Sequence, residues 1–391
     1  MYKRPFLALL AQALLGFWIV LPLPSAAKEK EKPPKVTREE TRKAKAEIEL
    51  KAIRLLVEEQ QRLDKVGFRT LRALSAEVDK PGFPYCGLLV DDASSKQGRR
   101  VAEALGVQEK SKPFVYSVTE GGPAWEAGFR VGDVILEWNG RAARRARDLA
   151  EALWKEESYD PLVIRRARSD KSGPLAIRPV RLAWRISFVV LPGDVLNAFT
   201  VPADFRKTRE VGVIRFYKGF MDLLRSDNEL AVVVGHEIAH LALGHLTYKK
   251  LLLQSALNLG GLAVPGWGSI PSGMAGQAVG ARFSRGQERA ADFAGLCYAH
   301  SSGYDVTAGV EVWERFAIAQ PQTKKGTLWS THPTSPERMV RARKVAESLK
   351  KGEPLPEEPD EGRETTPPSD SGSRETRGTG RGDHAKHRAT L

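Results

Sequence analysis

Two histidines four residues apart, His236 and His240, stand with Glu237 between them in an apolar run from Ala231 to Leu243. An α-helix turns once every 3.6 residues, so the two rings share a face and can clamp a single ion. Imidazole nitrogens in that arrangement suit Zn²⁺, and the intervening glutamate can act as general base in metal-assisted peptide hydrolysis. HExxH is a short pattern. A core helix with two hydrogen-bonded histidines is its plain competitor.

A catalytic zinc site built on two histidines needs a third protein ligand and one open position. Glu288 and Asp292, also four apart, are flanked by Ala290, Ala291, Phe293, Ala294, Leu296 and Cys297, a composition that marks a largely buried helix. Buried carboxylates need a counter-charge, and a metal would supply it. Glu288 is then the expected third ligand. Asp292, one turn on, can accept the second ring N–H of a ligating histidine and fix its tautomer. His245 follows Gly244, nine positions after His236. On a continued helix it would lie about half a turn away, facing elsewhere, and it reads as a helix-end or structural residue.

Together with Asn197-Ala198-Phe199 and Pro202 upstream, and Ser330-Thr331-His332-Pro333 with Arg338 downstream, these segments resemble the zinc metallopeptidases related to the HtpX heat-shock protease and the CAAX prenyl protease. The resemblance runs over about residues 185–345. It implies one Zn²⁺ per chain held by His236, His240 and Glu288, with Glu237 as general base. It places His332 near the metal and Arg338 packed with it. A further imidazole there could donate to the oxyanion of a tetrahedral intermediate, or occupy the open metal position at rest. In one place the chain departs from the family: the charged connection Ala203–Glu210 precedes Val211–Phe216, the expected edge strand along which a substrate backbone would pair.

The elements that must position these residues follow from the rest of the 391-residue chain, which is long enough for two cores. Thr37 and Glu40 form a capping box opening a long helix to about Val66, with Ile48, Leu55, Leu56 and Leu63 as its apolar stripe. Residues 83–182 read as β-rich. Gly122–Gly128 is a short helix opened by Pro123, Val131–Trp138 a turn and strand, and Asn139-Gly140 a tight turn. A helix near Asp148–Glu156 and a strand at Leu162–Arg165 follow. The run GPAxxAGFxxGDVILxxNG resembles the PDZ domain of exported bacterial proteases, which implies a peptide-binding loop at Tyr85, Cys86, Gly87 and Leu88. In that family, backbone N–H groups cradle a peptide's C-terminal carboxylate. A structural strand start that contacts no ligand is the alternative for these residues.

The expected fold class is therefore α+β: a mainly helical zincin-like metallopeptidase domain with a small edge-strand sheet, preceded by a β-rich PDZ domain. Expected boundaries are a signal or anchor at 1–27, a linker at 28–36, a helical segment at 37–82, the PDZ domain at 83–182, the peptidase at 183–350 and a disordered tail at 351–391. Tyr2-Lys3-Arg4, the apolar run Phe6–Val20 and the small residues Ser25–Ala27 describe a secretory signal, with an uncleaved anchor as alternative. Either puts the remainder outside the cytoplasm. The glycine-rich stretch 251–286 is expected to be a lid or gate beside the cleft, with a hydrophobic loop dipping into a membrane as the alternative. Cys86 and Cys297 are expected to be thiols rather than a bridge.

The net charge of +13 raises nucleic acid or an anionic membrane surface as partners. No aromatic-interleaved basic patch or nucleic-acid module accompanies it. The arginines at 141, 144, 145 and 147 and at 165, 166 and 168 read as solvated surface. The two resemblances imply protein or peptide substrates as partners, with C-terminal tails as one route of recognition. Peripheral association with anionic lipid is compatible with the charge. An intramembrane protease is excluded by hydropathy beyond residue 24. The rival from another class is a proteolytically silent PDZ-containing chaperone or scaffold; no expected ligand or base is missing, which disfavours it.

Overall fold

The computed structural model describes residues 35–76, 82–155, 160–167, 172–202, 212–246, 283–319, 332 and 335–355. The expected export segment, the connection Ala203–Glu210, nearly all of the stretch 251–286 and most of the tail lie outside the described residues, as do Ser330, Thr331 and Pro333. The chain divides into two units, Met1–Ala46 and Glu47–Leu391. Within the first, Thr37 Oγ1 accepts from the Glu40 N–H at 3.1 Å and Glu40 accepts from the Thr37 N–H at 2.7 Å, the capping box that starts helix α1 (Arg38–Leu74).

Helix α1 runs past Val66, and its buried side differs from the expected apolar stripe. Leu63 is fully buried, but Ile48 and Leu55 are 69% and 42% exposed. Burial begins at Val57, where the helix enters between the two domains that follow. From there it takes in Gln60, Asp64, Gly67 and Thr70, polar or small residues that a search for apolar periodicity passes over.

The β-rich domain comprises β1 (Phe83–Tyr85), β2 (Leu88–Asp91), α2 (Lys96–Ala104), β3 (Phe114–Val118), α3 (Pro123–Glu126), β4 (Val134–Trp138), β5 (Arg141–Ala142), α4 (Ala146–Lys155), β6 (Leu162–Ala167), β7 (Ser172–Ile177) and β8 (Val180–Leu182). Its sheet has the order β2-β3-β4-β6-β7, with β5 paired to β4, over a core containing Leu88, Val118, Phe129, Ile135, Leu149 and Ile164. Strands β1 and β8 pair antiparallel where the chain enters and leaves. Arg141, Arg144, Arg145 and Arg147 are exposed as expected, but Arg166 is not: it is buried, with Nε 3.2 Å from the fully buried Asp133. A basic run is misleading when one arginine alternates to the inner side of a strand and meets a carboxylate there.

The second domain opens with β9 (Ile186–Leu191), β10 (Ala198–Pro202) and β11 (Gly212–Tyr217), in the order β10-β11-β9. The strand expected at the edge, Val211–Phe216, is therefore central: β11 pairs parallel with β9 on one side and antiparallel with β10 on the other. No local sequence signal marks the β9 pairing, because parallel partners are brought together by a crossover rather than a local turn. Helices α5 (Lys218–Leu223), α6 (Asp227–Ala242), α7 (Arg285–Ser301), α8 (Val306–Gly309), α9 (Glu311–Ala319) and α10 (Pro336–Lys351) follow. Ser226 caps α6 through the Glu229 N–H, and α6 is buried on all sides from Glu229 to Leu241. Ser284 and Gln287 form a capping box at the start of α7. Among the described residues no helix is long and apolar enough to cross a membrane.

Candidate metal centre

Helices α6 and α7 meet backbone to backbone. A Cβ on Gly235 would sit 2.3 Å from the Gly295 carbonyl oxygen, and one on Gly295 would sit 2.5 Å from the His236 nitrogen. A helical glycine costs about 1 kcal/mol relative to alanine, so two at one crossing mark a contact no side chain could enter. The close approach carries Glu288, two turns before Gly295, into the space in front of the paired imidazoles.

There, ligand atoms of His236, His240, Glu288 and His332 all lie within 4.8 Å of one another, and all four residues are buried. His236 Nε2 is 3.1 Å from His240 Nε2 and 3.2 Å from His332 Nδ1. His332 Nδ1 is 2.9 Å from Glu288 Oε1. Glu237 lies alongside, its Oε1 3.4 Å from His332 Nε2. Thus the sequence-predicted ligands and base converge, and His332 joins the ligand cluster itself.

The surrounding residues fix each donor. His236 Nδ1, on the far side of its ring, is 2.9 Å from Asp292 Oδ1, the orienting contact expected of Asp292. Arg338 grips Asp292 with a fork, Nε to Oδ2 at 2.7 Å and NH2 to Oδ1 at 2.8 Å, and its NH1 is 2.5 Å from Glu288 Oε2. Expected to pack with His332, it bonds directly to both carboxylates of α7. Burial would raise Glu288, but His332 and Arg338 bring it below the usual carboxylate value. Asp292 is likewise held low, against burial, by Arg338 and His236. Burial pushes His240 well down, helped by His236, His332, His245 and Arg338. Burial works against a charged His332 too, yet Glu288 and Glu237 outweigh it and raise its pKa.

Two contacts escaped the sequence reading. Helix α6 ends at Ala242, and Gly244 takes a left-handed φ of +69° that turns His245 back on itself. Rather than facing elsewhere, His245 is buried with Nδ1 3.0 Å from His240 Nδ1. Only the glycine at that position could have announced the turn. Second, the Thr200 hydroxyl of β10 donates to Glu237 Oε2 at 2.6 Å. Thr200 lies inside the segment Asn197–Pro202 but is neither an ionisable group nor a motif position.

The donor set fits a divalent cation. Formally, Glu237, Glu288 and Asp292 carry three negative charges against the single positive charge of Arg338, leaving two to be balanced with neutral histidines. Three imidazoles and a carboxylate are ligands of borderline-hard type, suited to a first-row metal.

In the β-rich domain, Gly87 has φ +73° between β1 and β2, the Cys86 carbonyl accepts from Ala124 N–H at 2.9 Å, and that of Gly87 accepts from Thr119 N–H at 3.0 Å. Tyr85 Oη lies 2.7 Å from Thr119 Oγ1. Strand β2, which begins at Leu88, is an edge of its sheet. Neither cysteine is disulfide-bonded.

The model of peptidase family M48 matches residues 179–346, and that of the PDZ domain matches residues 114–158. The chain is 26% identical over 227 residues to the mitochondrial metalloendopeptidase OMA1 of Schizosaccharomyces pombe, covering 56% of this chain and 64% of that protein. It is 30% identical to the metalloprotease LoiP of Escherichia coli, over 36% of this chain and 58% of LoiP. To the metalloprotease YcaL of the same organism it is 30% identical, over 32% of this chain and 52% of YcaL. The chain thus spans less than two thirds of the length of each of these relatives. The candidate metal-ligand cluster thus lies inside the segment, residues 179–346, that is similar to peptidase family M48, and the PDZ-like segment precedes it.

Proposed function

We propose that the chain is an exported zinc metalloendopeptidase that cleaves protein or peptide substrates, with the PDZ domain recognising their tails, in quality control of envelope proteins. The observation that carries the peptidase reading is the convergence of His236, His240, Glu288 and His332 beside Glu237. Three of these donors, His236, His240 and Glu288, would hold the ion. A zinc ion bound there supplies a Lewis acid that polarises a carbonyl and activates water. Glu237 Oε1, buried and without a hydrogen-bond partner among the described residues, has the lone pairs to take a proton and return it to the leaving amine. His332 either donates to the developing oxyanion or fills the fourth position at rest.

The substrate backbone would pair along β10, whose outer edge has no strand partner among the described residues. The other edge of that sheet, β9, is closed: Gln60 of α1 donates to Phe188 O at 3.0 Å and accepts from Val190 N–H at 2.8 Å. For the PDZ domain, the edge position of β2 after the Tyr85–Leu88 loop supports strand addition by a peptide. Export rests on the basic and apolar character of the first 27 residues, and the quality-control role on the family resemblance.

Purified protein is expected to hold about one zinc per chain, and Glu237→Gln to keep the metal while losing cleavage of an unfolded protein such as casein. Equal proteolysis by wild type and variant would refute the assigned base.

A further inference from the structure

Thr200 is buried at 2% exposure, and its hydroxyl lies 2.6 Å from Glu237 Oε2 and 3.4 Å from the Glu237 carbonyl oxygen. One hydroxyl proton serves one acceptor well, and the shorter contact is the carboxylate. Glu237 Oε1 has no hydrogen-bond partner among the described residues and faces His332 Nε2 at 3.4 Å. The carboxylate is therefore held by one oxygen and open at the other. Threonine is stiff at χ1, so the backbone of β10 sets where the hydroxyl points.

The same residue lies on β10, whose outer side has no strand partner among the described residues, although all five residues of the strand are buried. The Tyr217 N–H donates to the Asn197 carbonyl at 3.0 Å, which makes that pair a hydrogen-bonded one. Pairing then alternates along the register Ala198↔Phe216, Thr200↔Ile214, Pro202↔Gly212, so the N–H and C=O of Ala198 and Thr200 point away from β11. Pro202, which has no N–H, takes the outward position it can tolerate. A peptide strand docking on β10 would hydrogen-bond to Thr200 itself.

We infer that Thr200 is a positioning residue: its hydroxyl pins one oxygen of Glu237 while its backbone pairs the incoming peptide, so that docking the substrate and setting the base are a single event. This rests on the peptidase reading above. The substrate class it implies is an extended polypeptide segment, able to offer a backbone N–H and C=O to one residue of the edge strand.

The test is steady-state cleavage of an unfolded protein or extended peptide by zinc-loaded Thr200→Val and Thr200→Ser. Valine keeps the shape and the backbone pairing but removes the hydroxyl. Its kcat should fall roughly 10- to 100-fold, the cost of a misplaced catalytic group, with KM within about twofold and zinc content unchanged. Serine should restore kcat to within about threefold of wild type. If valine proves unstable, Thr200→Ala replaces it. Alanine and serine both lack the methyl, so only the hydroxyl separates them. Wild-type kcat in the valine or alanine variant overturns the inference, as does a serine variant as impaired as alanine. The two failures are distinguishable: an inactive zinc-loaded wild type, or an active Glu237→Gln, sinks the peptidase reading, whereas an active wild type with an unaffected Thr200→Val sinks this inference alone.

Discussion

His245 rests on the side of His240 turned away from the metal donors. With His240 Nε2 in the donor set, its ring proton sits on Nδ1, 3.0 Å from His245 Nδ1. Phe283 stacks on the same imidazole at 3.8 Å between ring centroids. Between them they leave His240 one orientation. Removing such an outer partner of a ligating histidine typically costs 10- to 100-fold in metal affinity. His245→Ala is therefore expected to weaken zinc binding by about that factor, measured by competition with a chromophoric chelator. Unchanged affinity would mean that stacking alone holds the ring. Arg338 is under a similar constraint. Its fork spans two oxygens of Asp292 while its other amino group meets Glu288. A lysine offers a point charge in place of the fork, so Arg338→Lys should lower zinc occupancy even though the charge is conserved. Metal analysis of the purified variant checks this.

At the scale of elements, the crossing of α6 and α7 sets the distance between the histidines and Glu288. Gly295→Ala adds helix propensity worth up to about 1 kcal/mol, but its methyl would meet the His236 backbone nitrogen at 2.5 Å. Overpacking of that kind usually costs about 1–3 kcal/mol. The steric term wins, and a lower melting temperature with reduced zinc occupancy is the expected result. A variant as stable and as metal-loaded as wild type would show that the helices can part without consequence. What could be read from sequence at this scale divides along the same line. His236, His240 and the pair Glu288 and Asp292 were legible because each is a local repeat on one helical face. The PDZ segment was legible because its turn residues sit at fixed offsets. Three features depend on partners distant in the chain: the central place of β11, the Gly235–Gly295 contact and the reach of Thr200 to Glu237. They carry no periodic signal. His245 lay between the two cases, since its direction hinged on a left-handed turn at Gly244 that a helical projection does not contain.

Across the whole molecule, α1 ties the two domains together through one turn. Gln60 bonds the edge of β9 and also donates to Asp64 Oδ1 at 2.9 Å, while Asp64 Oδ2 accepts from the Ser117 hydroxyl of β3 at 2.7 Å. Gly67 leaves room for Phe188, which would lie 2.3 Å from a Cβ there, and Phe68 stacks on Tyr85 at 5.4 Å. The sheets of the two domains are thus fastened side by side to one face of the same helix. Burial pushes the Asp64 carboxyl up to about 7 against the hydrogen bonds from Ser117 and Gln60. In the unfolded chain it ionises near 4. Between those values the folded state binds the extra proton, so this group's contribution to stability falls as pH rises from about 4 to about 7 and is level above that. Asp64→Asn, which keeps an acceptor and a donor in place, should flatten that part of the curve. The measurement is the melting temperature of both proteins from pH 5 to pH 8. Parallel curves would contradict the assignment.

The proposed chemistry requires a cation enclosed by two imidazoles of α6 and a carboxylate of α7. Anomalous scattering at the zinc edge from crystals of the purified protein tests it most directly. A single strong peak is expected between His236 Nε2, His240 Nε2 and the Glu288 carboxylate, at about 2.0–2.2 Å from each. A zinc peak bound elsewhere, with those three side chains left as a hydrogen-bonded cluster, would contradict it.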